Sequence, residues 1–223
     1  MAKKEAQTPE NNQQPQPPIM IHSQFIKDLS LEKRGLIIVV GATGSGKSTS
    51  MAGMVDHRNK LLAGHIITIE DPIEFRIQGI VQAATNLKLT FARALRAMLR
   101  QDPDVILVGE IRDEETAGLA TQAALTGHIV LSTLHANSAT VTLNRMLDLE
   151  VDPNALSAAL GGFLAQRLVR TLCPHCRLQQ PLDGYIRSQI IEAGVSEQEI
   201  DAIGLIYTNN PSGCSHCHDG WLS

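Results

Sequence analysis

The feature that most constrains this chain is a glycine-rich loop between an apolar run and a helical pattern. Residues 41–48 read Gly-Ala-Thr-Gly-Ser-Gly-Lys-Ser and match the motif G-x-x-x-x-G-K followed by Ser or Thr at every fixed position. Residues 36–40 predict a buried strand before the loop, and residues 45–62 predict a helix after it. A structural turn between strand and helix is the alternative, which the Lys-Ser pair disfavours. The loop therefore predicts an α/β fold that binds a phosphate group.

The chemistry of the loop points to a nucleotide with Mg²⁺. Glycines let backbone N–H groups wrap a phosphate, and the N-terminus of the following helix favours negative charge. Lys47 is placed to reach the β and γ phosphates, and Ser48 is placed to hold Mg²⁺. The candidate nucleotide-binding residues are Gly41, Ala42, Thr43, Gly44, Ser45, Gly46, Lys47, Ser48 and Thr49.

The rest of the chain alternates short apolar runs with helical patterns, which is typical of a mostly parallel sheet with crossover helices. Further strands are predicted at 65–70, 105–108 and 129–133, and further helices at 90–100, 113–125, 137–149 and 153–172. Residues 1–20 are rich in Gln, Asn and Pro, so we expect a disordered tail there. The predicted organisation is a tail, a nucleotide-binding core at 21–172, and a small cysteine-containing element at 173–223.

Carboxylates follow two of the predicted strands. Glu110 ends the apolar run 105–108, where a phosphate-loop enzyme places the acid that supports Mg²⁺ or its water. Glu70 and Glu74 follow the run 66–69, and either could orient an attacking water. Because parallel strands bring their carboxyl ends to one edge of a sheet, these acids are expected to gather near the loop. A solvated acidic turn is the alternative for each.

Histidines and arginines offer weaker candidates. His128 and His135 bracket the strand at 129–133, and His135, at its carboxyl end, is the better placed to sense a γ-phosphate. Without other context, the residue type at a strand end favours a hydrogen-bonded histidine over a catalytic one at each position. Arg93, Arg96 and Arg100 share one helical face, which is either a solvated basic face or a source of arginines acting on a neighbouring subunit.

The four cysteines form two C-x-x-C pairs, which predict a zinc site. Cys173, Cys176, Cys214 and Cys217 supply four thiolates for a tetrahedral Zn²⁺ ion. Paired disulfides and a redox C-x-x-C motif are the alternatives, and neither a secretion signal nor a thioredoxin-like strand accompanies them. Nearby histidines could replace a thiolate, namely His175, His216 and His218.

Composition excludes several other classes. The formal net charge is −4 and aromatic residues make up 3% of the chain, so neither a strongly basic field nor a base-stacking surface points to nucleic acid. No signal peptide is evident at the start, and no apolar run reaches the roughly 18 residues of a membrane span. These features predict a cytoplasmic protein that binds no nucleic acid.

Several long motifs together resemble the secretion and type IV pilus motor ATPases. The similarity rests on GATGSGKSTS at 41–50, ITIEDPIEF at 67–75, FARALRAMLRQDPDVILVGEIRDEET at 91–116, TGHIVLSTLHANSA at 126–139 and LAQRLVRTLCPHC at 164–176. It covers residues 25–217. The resemblance implies a RecA-like core that uses ATP and Mg²⁺, with a small four-cysteine zinc element.

The resemblance also assigns roles to residues. It implies that residues 70–74 are the family's Asp box with its catalytic glutamate, that Glu110 is the Walker B acid, and that His128 and His135 are the His-box histidines. It does not choose between Glu70 and Glu74. The cysteine element resembles the type II secretion and pilus-assembly branches, whereas the sequence around the loop resembles the pilus-retraction branch, so the branch stays open.

The resemblance implies a motor subunit that powers type II secretion or type IV pilus assembly. Such subunits form homohexamers on the cytoplasmic face of the inner membrane, with inner-membrane platform and accessory proteins as partners. The family carries a preceding domain, about a hundred residues by ordinary domain sizes, and continues past the second cysteine pair. We therefore expect a truncated core. The alternative function is a non-hydrolysing nucleotide-binding module that docks on full-length motors.

Overall fold

A computed structural model describes residues 23–202 and 205–222. The chain divides into two compact units, the first ending at Arg167 and the second beginning at Leu168. The sequence prediction places this boundary after Leu172. Among the described residues, no helix has the length and apolarity needed to cross a membrane.

The first unit alternates helices with strands. Its strands are β1 Gly35–Val40, β2 Ile66–Glu70, β3 Val81–Ala84, β4 Val105–Val108, β5 Ile129–Leu134 and β6 Leu160–Ala165. Its helices are α1 Gln24–Ser30, α2 Lys47–Leu61, α3 Phe91–Met98, α4 Glu114–Leu125, α5 Ala139–Asp148 and α6 Pro153–Ala159, and a 3₁₀ turn at Leu99–Gln101 extends α3. Side chains of Thr90, Asp113, Ser138 and Asp152 cap the N-termini of α3, α4, α5 and α6.

All six strands form one parallel sheet in the order β3-β2-β4-β5-β1-β6. The central strands lie in register, with Gly35 opposite Ile129 and Val105 opposite Ile129 on its other side. Because every strand points the same way, the residues after β1, β2, β4 and β5 emerge at one edge. The predicted fold class, a parallel α/β core, is confirmed.

Alternating residues of the central strands bury both faces of the sheet. One face of β1, with Leu36, Ile38 and Val40, packs with the helices that follow β3, β4 and β5. The other face, with Ile37 and Val39, packs against α2 through Met51, Met54 and Val55. Burial on both sides explains why these strands are continuous apolar runs.

The predicted helix at 153–172 is wrong. Only residues Pro153–Ala159 are helical, and Leu160–Ala165 form strand β6 beside β1. Gly161 and Gly162 interrupt the helical pattern, since each glycine costs roughly 1 kcal/mol in a helix relative to alanine. The edge of β1 that β5 does not use pairs with β6. This pairing supplies the backbone hydrogen bonds that a continued helix would have made.

The second unit contains more regular structure than its polar sequence predicts. Its elements are β7 Leu178–Gln180, α7 Gly184–Glu192, α8 Glu197–Ala202 and β8 Ile206–Thr208. The two strands pair antiparallel, with Gln179 opposite Tyr207. The guanidinium of Arg177 lies 4.1 Å from the ring centre of Tyr207, and that of Arg170 lies 4.2 Å from Trp221.

Candidate functional site

The glycine-rich loop leaves the sheet at the end of β1 and enters α2 at Lys47. Gly46 precedes the helix in the left-handed region, with φ at 82°, which favours glycine. Gly44 meets no protein atom within 4 Å of where a Cβ would lie, so this side of the loop is open. The loop therefore presents backbone directly to its surroundings at the N-terminus of a helix.

Gly41 closes the other end of the loop. A Cβ at this position would lie 2.3 Å from the carbonyl oxygen of Gln166 and 2.6 Å from the Oγ of Ser45. Only glycine fits this contact, and its φ of 152° suits glycine as well. The first glycine of the motif is therefore required by packing inside the protein.

The polar side chains of the loop, Ser45 and Lys47, suit an anionic ligand. The Ser45 hydroxyl is buried, and it is the one buried side-chain polar atom in the described parts of the chain without a hydrogen-bond partner. The ammonium group of Lys47 donates to the carbonyls of Gly41 at 2.9 Å and Ala42 at 3.1 Å, which holds the cation against the loop. A phosphate group would accept from such donors, so the residues present fit the implied nucleotide.

Glu110 and His135 meet at the carboxyl edge of the sheet. Glu110 follows β4, His135 follows β5, and the Nε2 of His135 lies 3.3 Å from the Oε2 of Glu110. The side chain of Glu110 is 13% exposed, whereas that of His135 is 66% exposed. The acid is thus held within the edge, while the imidazole reaches outward from it.

The second oxygen of Glu110 pairs with Arg112. The guanidinium donates to Glu110 Oε1, lies 3.9 Å from Asp71 Oδ2, and sits 6.0 Å from the ring centre of Phe91. A guanidinium is a permanent cation, and the hydrogen bond to Glu110 raises the pKa of Arg112 further. Arg112 links the acid after β4 to the acidic segment after β2.

Glu70 is held by the protein rather than free. Its Oε1 accepts hydrogen bonds from Thr68 Oγ1 at 2.6 Å and from Gln82 Nε2 at 3.0 Å. Gln82 also donates to the carbonyl of Phe75 and accepts from the N–H of Ile77, so it organises the segment after β2. Glu74 lies exposed on that segment.

His128 lies apart from this edge. It precedes β5, and its Nδ1 lies 2.9 Å from the carbonyl oxygen of Ala123 and 3.2 Å from the hydroxyl of Thr126. These contacts suit a histidine that holds the end of α4. The two predicted His-box histidines therefore occupy opposite ends of one strand.

The arginines of α3 make local contacts. Arg96 forms an ion pair with Glu115 of α4, and Arg93 donates to the carbonyl of Lys88 at 3.0 Å. The side chains of the Arg96–Glu115 pair are about half exposed, at 55% and 50%. This arrangement fits the solvated-face interpretation of these arginines.

The four cysteines converge in the second unit. Their sulfur atoms lie within 4.8 Å of one another, and among the described residues no histidine or carboxylate joins the group. Cys173 and Cys214 sulfurs are 3.7 Å apart, and Cys176 and Cys217 sulfurs are 3.5 Å apart. Tetrahedral Zn–S bonds of about 2.3 Å require sulfur separations of about 3.8 Å. The four thiols thus fit a zinc ion and are not disulfide-bonded.

The thiols are electrostatically unequal. Desolvation, reinforced by hydrogen bonds with neighbouring thiols, raises the pKa of Cys176 to about 12. Desolvation acts in the same direction on Cys217, but hydrogen bonds from Cys176 and from backbone N–H groups outweigh it and lower that pKa to about 7. Outside the cluster, the rings of His175 and His216 stack at 4.3 Å. Those histidines pack against each other beside the thiols.

Three residues of the site gave no functional signal in the sequence. Arg112 and Gln166 lie inside recognised motifs and Gln82 lies between two of them, but a lone Arg or Gln carries no spacing that indicates a role. Their contacts depend on which strands become neighbours. Gln166 directly follows β6, a strand that the sequence did not predict, and Arg112 lies four residues beyond the end of β4, so neither position singled out its residue.

Comparison with known proteins identifies the family. The family model described as "Type II/IV secretion system protein" matches residues 21–222, nearly the whole chain. The chain belongs to this family. Its parallel sheet and glycine-rich loop are the fold and motif that the sequence resemblance implies.

Relatives in this secretion family include both secretion and pilus proteins. The type II secretion system protein E of Pectobacterium carotovorum subsp. carotovorum is 49% identical over 196 residues, which cover 87% of this chain and 37% of that protein. The type IV pilus assembly ATPase PilB of Myxococcus xanthus is 46% identical over 187 residues, covering 83% and 32%. The chain thus spans well under half the length of these two relatives.

Solved structures of the same kind share the fold. The pilus retraction motor PilT with bound ADP aligns with a TM-score of 0.59 and 38% identity, over 81% of this chain and 56% of PilT. The ATPase DotB of Legionella pneumophila aligns with a TM-score of 0.58 and 26% identity, over 81% and 53%.

Proposed function

We propose that this chain carries the ATP-binding and ATP-hydrolysing core of a motor subunit for type II secretion or type IV pilus assembly. The observation that carries the proposal is the meeting of Glu110 and His135 at the sheet edge from which the glycine-rich loop also emerges. Relatives of the chain include a type II secretion system ATPase E and a type IV pilus assembly ATPase. The proposed setting is the cytoplasmic face of the inner membrane, in a homohexamer that works on platform and accessory proteins and not on nucleic acid.

The loop supplies the binding half of the mechanism. Residues 41–49 would hold the phosphates through backbone N–H groups of the loop, Lys47 would neutralise part of their charge, and Ser48 would offer its hydroxyl to Mg²⁺. Bound Mg²⁺ would neutralise the charge that develops on the transferred phosphoryl group. Glu110 is proposed to hold the metal or its water, and His135 to orient the carboxylate from its 3.3 Å contact.

Glu70, the last residue of β2, and Glu74, on the segment after it, are proposed to have different roles. Both donors that reach Glu70 bind one of its oxygens, which suits a carboxylate that shapes the segment. Glu74 is exposed on that segment, so its carboxylate is accessible to water. We assign Glu74 as the residue that activates the attacking water and Glu70 as its structural support.

The cysteine cluster is proposed to bind structural zinc. The sulfur separations are 3.7 Å for Cys173–Cys214, 3.5 Å for Cys176–Cys217 and 3.6 Å for Cys214–Cys217. They match a closed tetrahedral site, which leaves no position for substrate. A structural zinc site contributes about 10–16 kcal/mol to folding in small domains. The ion would therefore stabilise the second unit rather than take part in hydrolysis.

The central experiment measures Mg²⁺-dependent ATP hydrolysis and nucleotide binding for the full chain and for Lys47→Ala. Loss of the ammonium group should weaken ATP binding by about tenfold or more, since hydrogen bonds to charged groups carry about 1.5–3 kcal/mol. Lys60→Ala is the matched control, because Lys60 is exposed and pairs only locally with Asp56. Unchanged nucleotide binding in Lys47→Ala would remove the site assignment.

A second comparison separates the glutamates. Glu74→Gln should lower turnover by about 10²–10⁴-fold with nucleotide binding retained, as expected for loss of a general base. Glu70→Gln keeps an oxygen that accepts from Thr68 and Gln82, so its effect should be much smaller. The reverse order would exchange the two roles.

Assembly tests the alternative function. A rate of ATP hydrolysis per subunit that rises with protein concentration, together with a ring-sized species in light scattering, supports a motor subunit. Tight nucleotide binding with no turnover at any concentration would instead indicate a module that docks on full-length motors.

A further inference from the structure

Gln166 touches the glycine-rich loop at both of its ends. It follows directly after β6, and its backbone N–H donates to the carbonyl of Val40, the last residue of β1, at 2.8 Å. Its own carbonyl oxygen forms the wall that only a glycine at position 41 can approach. The start of the loop is thus packed on the backbone of Gln166.

The side chain of Gln166 holds the far end of the loop. Its Nε2 donates to the carbonyl of Ser45 at 2.8 Å, and its Oε1 accepts from the hydroxyl of Ser50 at 2.6 Å. Ser50 lies in the first turns of α2. One amide group therefore joins the last part of the loop to the helix that the loop begins, and both of its polar atoms are used.

The hydrogen bond to Ser45 also sets the direction of a neighbouring donor. In a trans peptide the C=O and the following N–H point in opposite directions. With the Ser45 carbonyl turned toward Gln166, the N–H of Gly46 points away from Gln166. Gly46 occupies the left-handed region with φ at 82°, so its peptide plane could otherwise rotate at little steric cost.

We propose that Gln166 is a positioning residue for phosphate binding. Through Ser45 it orients the N–H of Gly46 into the loop, and through Ser50 it keeps α2 in line with that donor. The inference rests on the proposed function, because it requires a phosphate in the loop. It deepens that function by assigning part of the affinity to a residue more than a hundred positions away in the chain.

The test compares ligands that differ only in their phosphates. Binding of ADP and of AMP is measured for the full chain and for Gln166→Leu, which has a similar volume but no hydrogen-bonding atoms. Loss of one oriented N–H donor to a charged phosphate should weaken ADP binding by about tenfold. AMP lacks the β-phosphate, so its binding should change little and the preference for ADP over AMP should fall by the same factor.

Three further variants sharpen the result. Gln166→Glu keeps the acceptor for Ser50 but cannot donate to Ser45, so it should lose at least as much ADP preference as Gln166→Leu. Ser50→Ala keeps the Gln166 amide that donates to Ser45 and removes only the hydroxyl that holds this amide from α2. A smaller loss of ADP preference is therefore expected. Gln122→Leu, on the exposed surface of α4, is the matched control and should leave the preference unchanged.

The outcomes separate this inference from the proposed function. If Lys47→Ala lowers the ADP preference but Gln166→Leu does not, Gln166 has no positioning role and the inference is overturned. If Lys47→Ala leaves the preference unchanged, the proposed nucleotide site itself fails. Equal weakening of ADP and AMP by Gln166→Leu, with a lower melting temperature, would show a purely structural role. Should Gln166→Leu not fold, the result for Ser50→Ala decides: a lowered preference supports the inference, and an unchanged one overturns it.

Discussion

The imidazole Nε2 of His135 lies 3.3 Å from Oε2 of Glu110, although the whole of α4 separates the two residues in sequence. The pairing arises because β4 and β5 are parallel neighbours that end at the same edge. A carboxylate so placed between His135 and Arg112 has both oxygens engaged, which fixes its orientation at the carboxyl ends of the strands.

This contact predicts strong coupling between Glu110 and His135 in catalysis. The single variants His135→Ala and Glu110→Gln and the double variant are compared by turnover at saturating ATP. Because the two side chains touch, the effects should be non-additive by about 0.5–3 kcal/mol. His128→Ala, at the other end of β5, serves as the control and should combine additively with Glu110→Gln. Additive effects for both histidines would contradict a functional pair.

The burial of the core predicts that a Leu→Ala substitution lowers the free energy of unfolding far more at a buried position than at an exposed one. Leu95 is fully buried on α3, and Leu87 is fully exposed. Leu95→Ala should lower the free energy of unfolding by about 2–5 kcal/mol, because it removes buried methyl groups and leaves a cavity. Leu87→Ala should change it by less than about 0.5 kcal/mol. Urea denaturation of both variants measures the difference, and comparable losses would be inconsistent with this packing.

The side chain of Asp113 caps α4, so it should contribute measurably to the stability of the protein. Its Oδ1 accepts from the N–H of Thr116 at 2.8 Å, at the start of α4. Asp113→Ala should destabilise the protein by about 1 kcal/mol, since an N–H at the helix start loses its partner. Asp113→Asn keeps an acceptor oxygen and should retain most of the stability. Thermal unfolding of the two variants checks the order, and equal losses would argue against a capping role.

The cysteine cluster predicts one zinc ion per chain. Cys173→Ser combined with Cys214→Ser removes two of four sulfurs and should abolish stoichiometric zinc, as measured by elemental analysis of the purified protein. The same pair should make residues after Arg167 sensitive to protease while the first unit stays protected, because the two units are separately compact. His175→Ala, outside the sulfur cluster, should keep its metal. Folded, protease-resistant wild-type protein without zinc would refute the site.

Local sequence patterns predicted much of the fold and of the candidate site. The apolar runs at β1, β4 and β5 predicted strands because burial on both faces makes such strands continuously apolar. The loop motif predicted its own position between strand and helix, because its glycines and Lys-Ser pair are local requirements. The cysteine pairs predicted their cluster for the same reason: metal geometry limits which spacings can close.

Other features required contacts between distant segments. A strand at Leu160–Ala165 was hidden in a helical pattern, since its identity depends on the free side of β1. The pairing of Glu110 with Arg112 and the support of Glu70 by Gln82 likewise depend on strand order. Sequence by itself determined the family, the parallel α/β class and the residue types available for phosphate and metal. Tertiary structure alone decided that Gln166 reaches the glycine-rich loop, because hydrogen bonds across more than a hundred residues exist only once β6 lies beside β1.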